Sequence, residues 1–249
     1  AALCGASISL VDVHGGLMRA EDVQLAIRKQ AGSLSHFPDG TLVCGENTSN
    51  RGGGACYQQD TLDDIAAVAK SNNCAIHMDG ARIFNAVVAT ATPLHRMLRD
   101  YDSVSICFSK GLGAPVGSVL VGTHSFIAQA HRWRKMFGGG MRQSGILAAA
   151  CLHALEHHVD RLSEDHRRTQ VLAKAINKLD GFEVKMDTVE TNMVYFESRM
   201  PALEVMEGLR QLNIDVLDVK PNVCRIVVHL HVTDEDVERI IEAFSSLEN

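Results

Sequence analysis

Short β-prone runs alternate with helical segments through the first two-thirds of this chain, and that alternation leaves few folds open. Cys74–Met78, Ser103–Phe108 and Val116–Val121 are apolar runs of strand length, and Ser7–Val13 and Thr41–Cys44 read the same way. Helical spacing fills the gaps. Ala20–Gln30 carries acids in its first turn, where the helix dipole favours them. Thr61–Asn72 keeps Leu62, Ile65, Ala66, Val68 and Ala69 at helical spacing, and Thr61 with Asp64 predicts a start resembling a capping box. Strands separated by helices build a mostly parallel sheet, the α/β class. One long helix is predicted over Ser144–Arg168. Beyond it, strand-like Phe182–Met186, Asn192–Phe196 and Val223–Leu230 interleave with helical Pro201–Leu212 and Thr233–Leu247. The pattern predicts a large domain at 1–155 and a smaller α+β domain at 156–249.

The length of 249 residues suits that division and leaves ample room for a core. A net charge of −6 argues against a general nucleic-acid binder and gives no attraction to anionic membranes. No apolar run approaches the ~20 residues that span a bilayer. Ala1–Leu10 lacks the basic start and apolar core of a signal peptide, and the expected location is the cytoplasm. The first residue is not methionine, which predicts a fragment or a processed product. The seven cysteines are scattered and odd in number, with no C-x-x-C pair. Free thiols in a reducing compartment fit that spacing better than disulfides or a zinc site.

Chemistry concentrates in two places. Ser103–Gly117, S-V-S-I-C-F-S-K-G-L-G-A-P-V-G, is an apolar strand that ends in one lysine, Lys110, among small residues. A lysine desolvated there loses its proton more readily and can form an imine with a carbonyl; a solvated Lys110 would only cap the strand. Asp79-Gly80-Ala81-Arg82 ends another strand, and ligands gather at the carboxyl ends of strands in open α/β sheets. Arg82 has the planar fork that grips a carboxylate, or it pairs with Asp79 to steady a turn. Together, an Asp and a Lys one βαβ unit apart form the layout a pyridoxal 5'-phosphate (PLP) enzyme needs. The Lys carries the cofactor, and the Asp keeps its ring nitrogen protonated. His153 and His157, one helical turn apart beside His158, read as a solvated face rather than a metal site.

H-M-D-G-A-R-I-F-N-A, the Lys110 segment and R-W-R-K-M-F-G-G-G-M-R-Q-S-G stand in an order that resembles the low-specificity L-threonine aldolases. E-N-T-S-N-R-G-G-G and R-I-V-V-H-L extend the resemblance, which runs from about Leu10 onward. It implies PLP-dependent fold type I, with cleavage of L-threonine or L-allo-threonine to glycine and acetaldehyde. Lys110 matches the Schiff-base lysine and Asp79 the partner of the pyridine nitrogen. Arg82 and Arg225 match the arginines that hold the substrate carboxylate, and His36 matches a histidine near the substrate hydroxyl. Lys135 and Arg142 match basic residues that approach the cofactor phosphate across a subunit interface, so a homodimer or homotetramer is implied.

The same resemblance implies that an opening arm, a phosphate-binding loop with its helix and a ring-stacking histidine precede Ala1 in the family. Their loss would uncover part of the large-domain core and expose an apolar patch. Ser49 stands where the family commonly has histidine. Two other readings stay open: a truncated remnant that partners a longer subunit, and a different PLP lyase activity such as β-elimination.

Overall fold

The computed structural model describes residues 2–28 and 38–247. After α1 (Ala20–Ala26), the chain enters β1 (Leu42–Glu46), α2 (Gln59–Ser71) and β2 (Ala75–Gly80). Helices α3 (Ile83–Thr90) and α4 (Leu94–Met97) lead to β3 (Ser103–Cys107) and β4 (Ser118–Gly122). These strands form one sheet in the order β1-β2-β3-β4; the first three are parallel and β4 returns antiparallel. Glu46 pairs in register with Asp79, and Asp79 with Ser105, so three strands end along one edge of the sheet. The expected face of α2 packs there: Leu62, Ile65, Ala66 and Ala69 are buried with Ile76, Met78, Val104 and Ile106. Burying such side chains is worth about 1.5–3 kcal/mol each for the larger aliphatics, and this layer fixes the strand ends.

Helices α5 (His124–Met136) and α6 (Gly145–His157) precede α7 (Leu162–Ile176). A second, antiparallel sheet then forms from β5 (Phe182–Val184), β6 (Met193–Ser198), β7 (Leu217–Lys220) and β8 (Val223–Val227), in the order β5-β6-β8-β7. Its core is shared with α7, α8 (Ala202–Gln211) and α9 (Asp234–Leu247). Phe182, Phe196 and Phe244 meet edge to face, with centroids 5.2–5.7 Å apart. That arrangement sets the positive edge of each ring against a neighbour's negative face. We propose that the smaller domain begins near residue 156, because Leu172, Ala173 and Ile176 of α7 belong to this core. Leu162, at the start of α7, packs instead with Phe108, Leu112 and Ala154, and so ties the two layers together.

Four expectations are corrected. Ser7–Val13 forms no strand: Ile8 and Leu10 are 68% and 87% exposed, and no described strand lies alongside to complete a ladder. Helix α2 begins at Gln59, which places Thr61 inside it, and no side chain caps its N-terminus. The long helix expected over Ser144–Arg168 is two helices, broken at 158–161, where His158 turns aside to bond the carbonyl of Leu112 at 2.6 Å. The first helix ends at Ala26 rather than continuing to residue 30, since Ile27 is extended and residues 29–37 are outside the described part.

Large apolar side chains on β4, α5 and α6 face solvent, among them Val121, Trp133, Phe137, Ile146 and Leu152. Trp133 stacks on Phe137 at 5.5 Å. No described strand pairs with the outer edge of β4.

His166 of α7 is buried against Asn85 of α3, whose Nδ2 lies 3.1 Å from its Nε2. Burial pushes the imidazole down to about 4, while Asp165 pulls weakly the other way. The unfolded chain therefore takes up this proton at higher pH than the folded one. The stabilising contribution is complete above the unfolded value of 6.5 and is lost as pH falls toward 4. This group alone should remove about 3 kcal/mol of unfolding free energy across that window. Urea unfolding at pH 7 and pH 4.5 measures the loss, and His166→Gln should flatten the slope; an equal slope in the variant would assign the loss to other groups.

Candidate active site

The carboxyl ends of β1, β2 and β3 present Glu46, Asp79 and Cys107, and the turn after β3 presents Lys110. That turn is closed by its own backbone. The Gly113 amide donates to the Lys110 carbonyl at 2.9 Å, and Ala114 to Phe108 at 3.0 Å. Gly113 has φ +72°, a conformation that side chains with a Cβ rarely adopt. The Lys110 Nζ lies 3.5 Å from the Cys107 Sγ, and no carboxylate of the described residues ion-pairs with it. Lys110 is exposed, the solvated of the two surroundings that its sequence left open. Its amine stands within electrostatic reach of Glu46 at the end of β1.

Asp79 is also exposed and accepts the Ala81 amide at 3.0 Å, which leaves carboxylate oxygen free to meet a further donor. No Asp79–Arg82 ion pair forms among the described residues; Arg82 turns toward the second sheet. Burial lowers the Arg82 pKa, and the charge of Arg225 on β8 lowers it further; Glu46, Tyr195 and Cys107 act in the opposite direction. Two guanidinium groups from different sheets thus stand close enough to repel. The Nε atoms of both are buried without a hydrogen-bond partner among the described residues. Unpaired buried donors and mutual repulsion together describe an anion site, since one carboxylate would relieve both costs.

The loop after β1 supports this pair. Arg225 Nη1 donates to Asn50 Oδ1 at 2.9 Å, and the Asn50 amide donates to Glu46 Oε2 at 3.2 Å. Burial raises the Glu46 pKa and Asp79 raises it further; the Asn50 amide, Arg82 and Lys110 oppose the shift. His77, on β2, bonds Ser103 Oγ at 2.8 Å, and burial lowers its pKa. Ser49 is 3% exposed and accepts the Gly52 amide at 3.2 Å, so it shapes the loop from inside.

Lys110, Asp79, Arg82 and Arg225 therefore come together. Lys135 and Arg142 do not: both are exposed, and neither side chain makes a hydrogen bond or ion pair among the described residues. His36 lies outside the described residues. His153 and His157 are exposed, and no group of three metal-ligating side chains occurs among the described residues. Sequence reasoning gave no role to Glu46, Asn50, Cys107 or Tyr195. Glu46 was findable, because it ends the strand beside the one that ends in Asp79.

A family model described as beta-eliminating lyase matches residues 1–199. The chain belongs to that family. Low-specificity L-threonine aldolase 1 of Arabidopsis thaliana is 40% identical over 233 residues, 92% of this chain and 65% of that protein. The chain spans less than two thirds of the length of that relative and of its Arabidopsis paralogue. Among solved structures, a Leishmania major threonine aldolase superposes with TM-score 0.79 at 19% identity, covering 95% of this chain and 69% of that one. A serine palmitoyltransferase from S. paucimobilis, solved with PLP bound, gives TM-score 0.65 at 18% identity over 91% of this chain and 58% of that one. The expected α/β fold, fold type I, is the fold these structures share.

Proposed function

We propose that this chain carries the PLP site of an aldehyde-lyase that cleaves L-threonine or L-allo-threonine to glycine and acetaldehyde. One observation carries the reading: Lys110, Asp79 and Arg82 all act electrostatically on Glu46, Arg225 acts on Arg82, and the buried Nε atoms of the two guanidinium groups lack partners among the described residues. Those groups fit PLP and an amino-acid substrate. Lys110 would bond the cofactor aldehyde, and Asp79 would accept the pyridine N–H. PLP, when bound, supplies a conjugated acceptor for the electrons of the breaking bond.

The remaining work falls to the chain's own residues. Arg82 and Arg225 take the substrate carboxylate through charge-assisted bonds, and that grip fixes which Cα bond is presented for cleavage. Asn50 keeps Arg225 in place for it. His36 is the candidate acceptor of the β-hydroxyl proton, because imidazole as a side-chain type exchanges protons near neutral pH. The Cα–Cβ bond breaks, acetaldehyde departs, and Cα takes a proton to give glycine.

Lys135 and Arg142 are assigned to the cofactor phosphate of a neighbouring subunit, which makes the working form a homodimer or homotetramer. Their exposure among the apolar side chains of α5 and α6 supports that reading. Glycine formation from threonine in the cytoplasm is the matching physiological role; unbridged cysteines agree with it. No described helix is long and apolar enough to cross a membrane.

The test is to add PLP to the purified chain and record the visible absorption band, then supply threonine and serine. The expected result is a band, with acetaldehyde and glycine from threonine. Pyruvate and ammonia from serine, without acetaldehyde, would replace aldol cleavage by β-elimination, the reaction in the family's description. A folded chain that gives no band would make it a remnant or a partner of a longer subunit.

A further inference from the structure

We infer that Asn85 and His166 are positioning residues for the Lys110 turn: their buried hydrogen bond forms the seat on which Gly111 rests and so sets where the lysine amine stands. Asn85 is 2% exposed, in a helix whose neighbours Ile83 and Ala86 are fully buried and apolar. Its Nδ2 faces the Nε2 of His166 at 3.1 Å. The imidazole is neutral at pH 7, so Nε2 accepts and the amide donates. The amide oxygen then points at Gly111: a Cβ built there would stand 3.2 Å from Asn85 Oδ1 and 3.1 Å from Leu162 Cδ2. A larger residue at 111 would press on this amide and on Leu162, which would have to shift by a few tenths of an ångström.

The next residue is held from the same side. The Leu112 carbonyl accepts from His158 Nδ1 at 2.6 Å, and the Gly113 amide closes back on Lys110. His158 lies in the break between α6 and α7 and His166 in the first turns of α7, so both supports come from this one stretch of chain. An apolar pair of equal volume would serve stability as well as this one. What a polar pair in an apolar layer adds is one defined position. Among the described residues the Lys110 amine bonds Cys107 Sγ and neither of these side chains, so their effect reaches it through the backbone.

The consequence for cofactor rests on the proposed PLP reading; the consequence for the turn does not. The experiment therefore reads backbone amide exchange at 111–114 in the chain without cofactor, together with Tm, PLP affinity and the position of the visible band. His166→Leu should keep Tm within a few degrees, exchange faster at Gly113, bind PLP about tenfold more weakly and shift the band. His166→Gln, whose amide oxygen can accept from Asn85, should restore protection and affinity. Wild-type exchange at Gly113 in the leucine variant would overturn the inference. So would a folded glutamine variant without protection, or a glutamine variant that does not fold, since each would show that imidazole volume matters rather than the bond. If the leucine variant does not fold, protection in the glutamine variant decides. If the wild type gives no band, the PLP reading fails while exchange still decides the role of the pair.

Discussion

Lys110→Ala loses the visible band on addition of PLP and cuts threonine cleavage by about 10⁴-fold or more, the scale on which removal of a covalent nucleophile is felt. The substitution should leave the fold intact. Lys110 is exposed, its side chain's one recorded hydrogen bond is to Cys107 Sγ, and the turn is closed by backbone bonds that alanine also forms. Circular dichroism and Tm should therefore match the wild type while the band disappears. Lys174→Ala, on the exposed side of α7, is the control and should keep both band and turnover. A Lys110→Ala protein with a wild-type band would place the cofactor linkage on another amine and end the assignment.

The fold was legible where local pattern and burial agree. The apolar stripe of α2 and the runs of β2 and β3 were readable because one side of each faces the same core. Ser7–Val13 failed for the complementary reason: its composition suits a strand, but a strand exists only beside a partner. The α6–α7 break was invisible because what breaks the helix is a tertiary bond from His158 to a carbonyl 46 residues earlier. β7 went unseen because Leu217–Lys220 is short and mostly exposed, with no apolar run to mark it.

At the proposed site, strand-end position singled out Lys110 and Asp79 in the sequence, and long motifs singled out the arginines. The Asn50 bridge between Glu46 and Arg225 joins residues 175 apart and had no local signature. Nor did the seat under Gly111. Sequence left two surroundings open for Lys110, desolvated or facing water; the choice falls to the turn, which leaves the side chain exposed.

Arg225→Leu separates function from stability. In the free chain, two guanidinium groups repel and their buried Nε donors stand unpaired, an arrangement that costs stability until an anion arrives. Replacing one should leave Tm unchanged or raise it, even though the bond to Asn50 is lost. The same change should lower kcat/KM for threonine by about 10²-fold, since the carboxylate loses charge-assisted bonds worth roughly 1.5–3 kcal/mol each. Most of the loss should appear in KM, because the carboxylate is held in the ground state as well as during cleavage. Arg225→Lys should recover little: an ammonium is a point charge and cannot present two parallel N–H bonds. Glycine, which keeps the carboxylate and lacks the β-hydroxyl, should raise the Tm of the wild type loaded with PLP and not that of Arg225→Leu. An unchanged KM for threonine in Arg225→Leu would show that the carboxylate binds elsewhere. A large fall in Tm without substrate would show instead that Arg225 is held for structure. The expected pair of results, weaker binding without weaker folding, follows only if the two arginines are kept close for an anion that the fold itself does not provide.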